Sequence, residues 1–468
     1  MADAGARPRT PLPIRPALVV AVFLPAIAAY AALFAYAMWH TSYDIWAAFW
    51  LIPALTAIST PILLRFARKN AKLAIGSILV VALVLKLISA IPRYYMVAVM
   101  YETGDSFRYS DAGKLLRQDF LHLDFHFTAT GEGSQTGTLF VEFITGIIYS
   151  VIGPSFLGGF VFFSWLSFWG LFFFFRAFQV GVPDGDTRRY ALFLFFLPTM
   201  LFWPSSIGKE AWMTLALGIG SYGCSLLLAR RPGASIYIIL GVAGVLAVRP
   251  HMALLLAAGV SLAYVLRASP AQRVVALGRT RTALGLGFLG IGTLLVIRRV
   301  SEFFGIDEFN LDTATEQLET AQRNTSTGDS EFVGGGASLT ALPMNIVTVL
   351  FRPFAFEVDS IPTLLAALEG TALMVLFLLS WPRLRTIPRR LRKQPYVTYS
   401  LVYAILFCFI FSVFQNFGIL ARQRVLVFPL ILVLLALPPA ASALERSRRR
   451  RRSFTAQPIH AAMTPSRE

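Results

Sequence analysis

Thr103-Gly-Asp-Ser-Phe-Arg-Tyr-Ser-Asp-Ala-Gly-Lys114 is a polar island between long apolar runs. Asp105, Tyr109 and Gly113 recur every four residues, so on a helix they share one face. Asp105 would stand in the first turn, where unpaired N–H groups and the helix dipole favour a carboxylate. Two readings of the island are open. In one it is an amphipathic helix lying on a membrane surface, with Asp105 as its N-cap. In the other Asp105 is a carboxylate held at the mouth of a membrane cavity, where it can act as a general base. The rest of the chain weighs toward the second.

On both sides of the island the chain is oily. Its 468 residues are 56% hydrophobic and only 14% charged, whereas a soluble domain carries about 25% charged residues. Apolar runs recur from end to end, and each is near the roughly 20 residues needed to cross a bilayer core. The expected fold is all-α: a polytopic transmembrane helical bundle of about 12 spans, one transmembrane domain over the whole chain. The runs lie at about 16–39, 45–64, 73–91, 155–176, 190–202, 211–229, 235–248, 252–266, 282–296, 361–379, 396–414 and 425–439. Pro92 and Arg93 mark the expected end of the third. The fourth is dense in Phe and Trp and is expected to face lipid.

The net charge of +17 does not point to nucleic acid. Lys and Arg fall in particular loops, as the positive-inside rule requires. Arg65, Arg68, Lys69 and Lys72 form one cluster, and Arg188, Arg189, Arg230 and Arg231 mark two further loops. The 267–281 and 383–393 stretches are also basic. The basic tail, 445–468, carries Arg448–Arg452, which would lie against anionic headgroups. With about 12 spans every dense cluster falls on the cytoplasmic side, together with both termini and the arginines of 1–15. Two long extracytoplasmic loops then remain, 93–154 and 298–360. Each holds a short apolar run: 138–153, read as an interfacial or re-entrant helix, and 337–351, read as an interfacial one. Glu142 in the first is either a second functional carboxylate or a surface-facing side chain.

Cys224 and Cys408 sit in apolar runs as small core residues. His122 and His126 form an i,i+4 pair with no further ligand in sight. No metal site and no cofactor are therefore expected, although a divalent metal assisting the reaction stays open.

Unusual polar residues collect on the expected outer side. They are Asp105, Arg108 and Tyr109, the turn ending in Lys209 and Glu210, Arg249 with His251, Arg352 with Glu357 and Asp359, and Arg422 with Arg424. Cations at outer helix ends oppose the bias that sets topology, and a phosphate-bearing lipid would account for them. Arg presents a planar fork suited to phosphate oxygens. Lys209 opens a span, beside free N–H groups that also suit an anion. The alternative is snorkelling to headgroups together with internal ion pairs such as Arg352 with Glu357.

An Asp followed four residues on by Tyr, then by small residues and a basic helix, in a long loop outside an early span, resembles the first-loop motif of GT-C glycosyltransferases. Protein O-mannosyltransferases and lipid A aminoarabinose transferases are of this kind. The matching residues are Asp105, Tyr109, Ala112 and Gly113. The short run ending in Val151-Ile-Gly153 and the aromatic span after it are also similar, so the resemblance covers about residues 70–230. The Pro204–Glu210 turn resembles a feature of bacterial exopolysaccharide membrane proteins. The chain departs from the family pattern in placing the motif after the third span, and in carrying Ser106 where many members have a second acid. The resemblance implies a donor sugar linked to polyprenyl phosphate, and an extracytoplasmic glycan, lipid or protein as acceptor. It also implies inverting transfer with Asp105 as general base. Tyr109, Arg108, Lys209, Glu210, Arg249, His251, Arg352, Arg422 and Arg424 would bind substrate. One alternative is an O-antigen-type polymerase or ligase working through Arg249, His251 and Arg422. Another is a lipid or solute transporter, which would call for internal repeats or broken, charged helices. No repeat at fixed period is visible, and Lys86 is the clear mid-span charge. A non-catalytic scaffold subunit is a further alternative.

Overall fold

The computed structural model describes residues 16–125, 136–267, 287, 290–298, 301, 340–358, 360–414 and 416–439. The arginines of 1–15, His126, nearly all of the 267–281 loop, most of the second long loop, Asp359 and the 445–468 tail lie outside the described residues.

Among the described residues every regular element is helical, as expected of an apolar chain whose backbone groups must pair within each segment. The first helices are α1 (Pro16–His40), α2 (Tyr43–Lys69), α3 (Gly76–Ile88) and α4 (Ala90–Tyr95), the last running into a π-helical turn, Met96–Tyr101. Then come α5 (Asp105–Leu121), α6 (Thr136–Ile152), α7 (Phe156–Gly181), α8 (Thr187–Phe196) and α9 (Pro198–Phe202). They are followed by α10 (Lys209–Leu228), α11 (Ala234–Leu246) and α12 (Pro250–Leu266). Further on lie α13 (Leu342–Phe351), α14 (Ile361–Leu379), α15 (Trp381–Leu384) and α16 (Ile387–Arg390). The last are α17 (Pro395–Phe411), α18 (Phe417–Gln423) and α19 (Phe428–Leu435).

Among the described residues four rods are long and apolar enough to cross a membrane: Tyr43–Lys69, Gly76–Tyr101, Phe156–Gly181 and Lys209–Leu228. Two bent pairs raise the number to six if each is one broken span: Thr363–Leu379 with Trp381–Arg390 at 56°, and Phe417–Leu426 with Phe428–Leu435 at 63°. Other apolar stretches of the sequence form helices of 10–17 residues. Of the expected ninth run, 282–296, only a part is described, and 290–298 is helical.

The core is built on α7 and α10. The expectation that the Phe-rich α7 faces lipid is corrected: 72% of its apolar stretch is buried inside the protein. Phe160, Phe163, Phe168, Phe174, Phe175 and Phe178 are all buried. Glycines allow the close approach. A Cβ on Gly218 of α10 would lie 2.2 Å from the Gly170 carbonyl oxygen of α7, the small-residue contact that lets apolar helices meet backbone to backbone. A Phe suits lipid and a protein interior equally, so its neighbours decide which it meets.

The expected end of the third run at Pro92 is also corrected. The rod is interrupted at Ser89 and continues through Pro92 to Tyr101. Pro92 falls in the first turn of the new segment, where its missing N–H costs little. Arg93 is therefore buried inside a helix rather than opening a loop.

The fifth run breaks at Leu197-Pro198, and two charged side chains serve the break. Lys86 Nζ donates to the Met200 and Leu201 carbonyls at 2.7 and 3.0 Å. Glu369 accepts from the Thr199 backbone N–H at 2.8 Å. The ammonium thus meets the C-terminal carbonyls of α9 and the carboxylate meets its N-terminal amide, matching the dipole and pairing groups that a broken helix leaves open. Ser164 accompanies them, donating 2.5 Å to the Lys86 carbonyl.

Candidate functional site

A cleft of about 360 Å³ opens where the Arg93–Tyr101 segment, the start of α5, the 203–208 turn, the start of α10, Arg249 and α18 meet. Several local features aim α5 into it. Gly104, at φ 128°, precedes the helix, a conformation that a side chain would strain. Ser106 Oγ donates to the Ile207 carbonyl at 2.8 Å, tying the first turn of α5 to the 203–208 turn. The face carrying Tyr109 and Gly113 packs inward, and a Cβ on Gly113 would lie 2.6 Å from Thr145 Cγ2 of α6. Asp105 heads the helix, exposed and lining the cleft. Burial, and after it the nearby Asp105, push the Tyr109 phenol up, so its hydroxyl stays a neutral donor.

At the start of α10, Glu210 is buried and collects two arginines from distant elements. Its Oε1 lies 3.1 Å from Arg249 Nη2 and 3.3 Å from Arg422 Nε. Arg249 also donates to Gln423. Glu210, expected to bind substrate, is placed here as the counter-ion of Arg249 and Arg422 in the cleft lining. Lys209, beside it, is half-buried and lines the same space.

Arg93 completes the group of cations. It is buried with its guanidinium 5.3 Å from the Phe202 ring and 4.8 Å from the Trp203 ring, within reach of cation–π attraction. Its Nη1 donates only weakly, to Met96 Sδ at 3.5 Å. Its buried Nε has no hydrogen-bond partner among the described residues.

The cleft therefore gathers Asp105, Tyr109, Lys209, Glu210, Arg249 and Arg422, as expected from sequence. The other four candidates lie elsewhere. Arg108 turns away and pairs with Glu142 at 3.0 Å. Glu142 itself is buried, which excludes the surface-facing reading. His251 is half-buried, with its ring 6.5 Å from Phe411, off the cleft lining. Arg352 grips Glu357, the ion pair that the alternative reading anticipated, and lies 5.5 Å from the Phe417 ring. Arg424 is buried and donates to the Leu350 carbonyl at 3.1 Å. The residues that sequence reasoning missed are Arg93, Asn416 and Gln423. The signal for Arg93 is a cation one residue after Pro92 in an apolar run, a pattern that also marks the end of a span.

Chemically, the cleft offers four cations, one exposed carboxylate and the amino-terminal ends of two helices, α5 and α10. Helix N-termini and clustered guanidinium groups both favour an anion. Among the described residues no three His, Cys, Asp or Glu side chains are placed to hold a metal ion.

No known protein family, no curated protein and no solved structure matches the chain.

Proposed function

We propose that the protein is a membrane glycosyltransferase of GT-C type. It moves a sugar from a polyprenyl-phosphate donor to an extracytoplasmic glycan, lipid or protein acceptor. One observation carries the reading: Asp105, from the polar island, shares a cleft with Lys209, Arg249 and Arg422, which come from three other parts of the chain. The same reading includes the finer topology of about 12 spans with both termini cytoplasmic.

In the reaction the acceptor hydroxyl gives its proton to the Asp105 carboxylate. Its oxygen bonds to the anomeric carbon as the bond from that carbon to the phosphate oxygen breaks, inverting the configuration. The phosphate leaves with the bonding electrons, and Lys209, Arg249 and Arg422 meet its charge. Tyr109, held neutral, donates to a sugar oxygen or to Asp105.

The test is transfer of labelled sugar from a panel of polyprenyl-phosphate sugars by the purified protein in lipid. Transfer by wild type that is lost in Asp105→Asn supports the reading. Wild-type rates in that variant mean that Asp105 is not the base.

The weight of arginine in the cleft also favours a second reading, a polymerase or ligase of lipid-linked polysaccharide units. A product growing by whole repeat units, rather than by single sugars, selects it. Transport is the third reading: the bent helix pairs suit it, whereas Lys86, the mid-span charge, is occupied by two backbone carbonyls.

A further inference from the structure

Among the described residues the charges lining the cleft do not balance. Arg93, Lys209, Arg249 and Arg422 face Asp105 and Glu210. Glu210 is shared between Arg249 and Arg422, at 3.1 and 3.3 Å. Arg93 is buried with an unpartnered Nε, and its guanidinium rests on aromatic rings rather than on a carboxylate. A buried cation without a counter-ion is costly. Four cations against two carboxylates leave the described lining with two more positive charges than negative ones.

We propose that the anion bound here is a diphosphate diester, with Arg93 as the group that takes its second charge. This rests on the reading of the cleft as a site for a lipid-linked sugar, and it changes the link expected in that lipid. A phosphodiester brings one negative charge and would leave the site cationic. A diphosphate diester brings two and matches the excess. The N-termini of α5 and α10, helices of 17 and 20 residues, open on the same space and add donors for the extra oxygens. The volume, about 360 Å³, falls within the ~300–1,000 Å³ of small-molecule sites.

The experiment compares two probes that differ by one phosphate unit and therefore by one negative charge, farnesyl methyl phosphate and farnesyl methyl diphosphate, binding to the full chain in lipid nanodiscs. The diphosphate is expected to bind about tenfold more tightly, the scale of one charge-assisted hydrogen-bonded contact. Arg93→Gln is expected to remove most of that preference, and Arg93→Lys to keep part of it. Methyl diphosphate without the farnesyl chain separates a soluble ligand from a lipid one, and tight binding of it supports the diphosphate assignment. Equal binding of the two farnesyl probes to wild type overturns the diphosphate assignment and leaves the lipid-phosphate reading standing. Failure of both to bind overturns both. If Arg93→Gln does not fold, the comparison on wild type and Arg93→Lys still decides.

Discussion

Arg249 Nη2 lies 3.1 Å from Glu210 Oε1, across 39 positions of the chain. This contact pins the 249 turn to the head of α10. Arg422 reaches the same oxygen from α18, so one buried carboxylate fixes two guanidinium groups at the edge of a cleft. Arg249 is held by hydrogen bonds to Glu210 and Gln423, and Arg422 by its ion pair with Glu210, before any ligand arrives; a site organised in this way gains affinity by losing less freedom on binding.

Glu210→Gln removes the shared charge while keeping the shape. Breaking a buried pair from one side costs ~3–5 kcal/mol, and here two cations lose their partner together. Thermal unfolding of the detergent-solubilised protein should fall clearly. An unchanged melting temperature would show that the arginines are held by other groups.

Asp105→Asn should leave the melting temperature near wild type, because the side chain is exposed. Transfer should fall by about 10²–10⁴-fold, the usual contribution of a general base. The check is a rate measured at saturating donor, together with an unaltered elution profile.

Lys86→Met takes the donor from two carbonyls at the α9 break. Each buried group left unpaired costs about 1–3 kcal/mol. The variant should melt lower without a specific loss of donor affinity. If donor binding collapses while stability holds, Lys86 belongs to the functional machinery.

Gly218→Val drives a side chain into the Gly170 carbonyl, where even a Cβ would sit at 2.2 Å. Overpacking costs typically ~1–3 kcal/mol when neighbours can give, and backbone gives little. Fluorescence-detected size-exclusion chromatography should show loss of the monodisperse species. A wild-type profile would mean that α7 and α10 can separate at that level.

Asp184, between α7 and α8, predicts a pH effect. Partial burial would raise its carboxyl, but hydrogen bonds from Arg390 and Gln394 outweigh this and lower it below the ordinary value of 3.8. Arg390 Nη1 lies 2.8 Å from Asp184 Oδ2. A depressed folded-state value means that the contribution is full above 3.8 and is lost as pH falls through the lower folded value. Asp184→Asn should therefore melt below wild type at neutral pH, with the gap closing under strong acid. A constant gap would exclude titration of this carboxyl as its source.

Much of the helical pattern was legible because apolar run length is written locally. The 138–153 run emerges as α6, Thr136–Ile152, and the polar island as α5, beginning at Asp105. Four of the long runs contain rods able to cross a membrane, whereas others become short or bent helices. Length and composition alone do not separate these cases, because prolines and buried charges such as Lys86 and Glu369 reshape a run only through partners elsewhere.

The candidate site divides in the same way. Residue type pointed to Asp105, Tyr109, Lys209, Glu210, Arg249 and Arg422, since charge in an apolar chain is conspicuous. The same cue also selected Arg108 and Arg352, which the fold turns to Glu142 and Glu357. It passed over Arg93, which looked like the end of a span. Composition and run length are enough to identify an apolar helical protein with a few misfit charges. Tertiary structure alone decided which of those charges meet, because a charged side chain settles on the partner that packing brings within about 4 Å, and contacts at that range between remote segments leave no periodic trace in the chain.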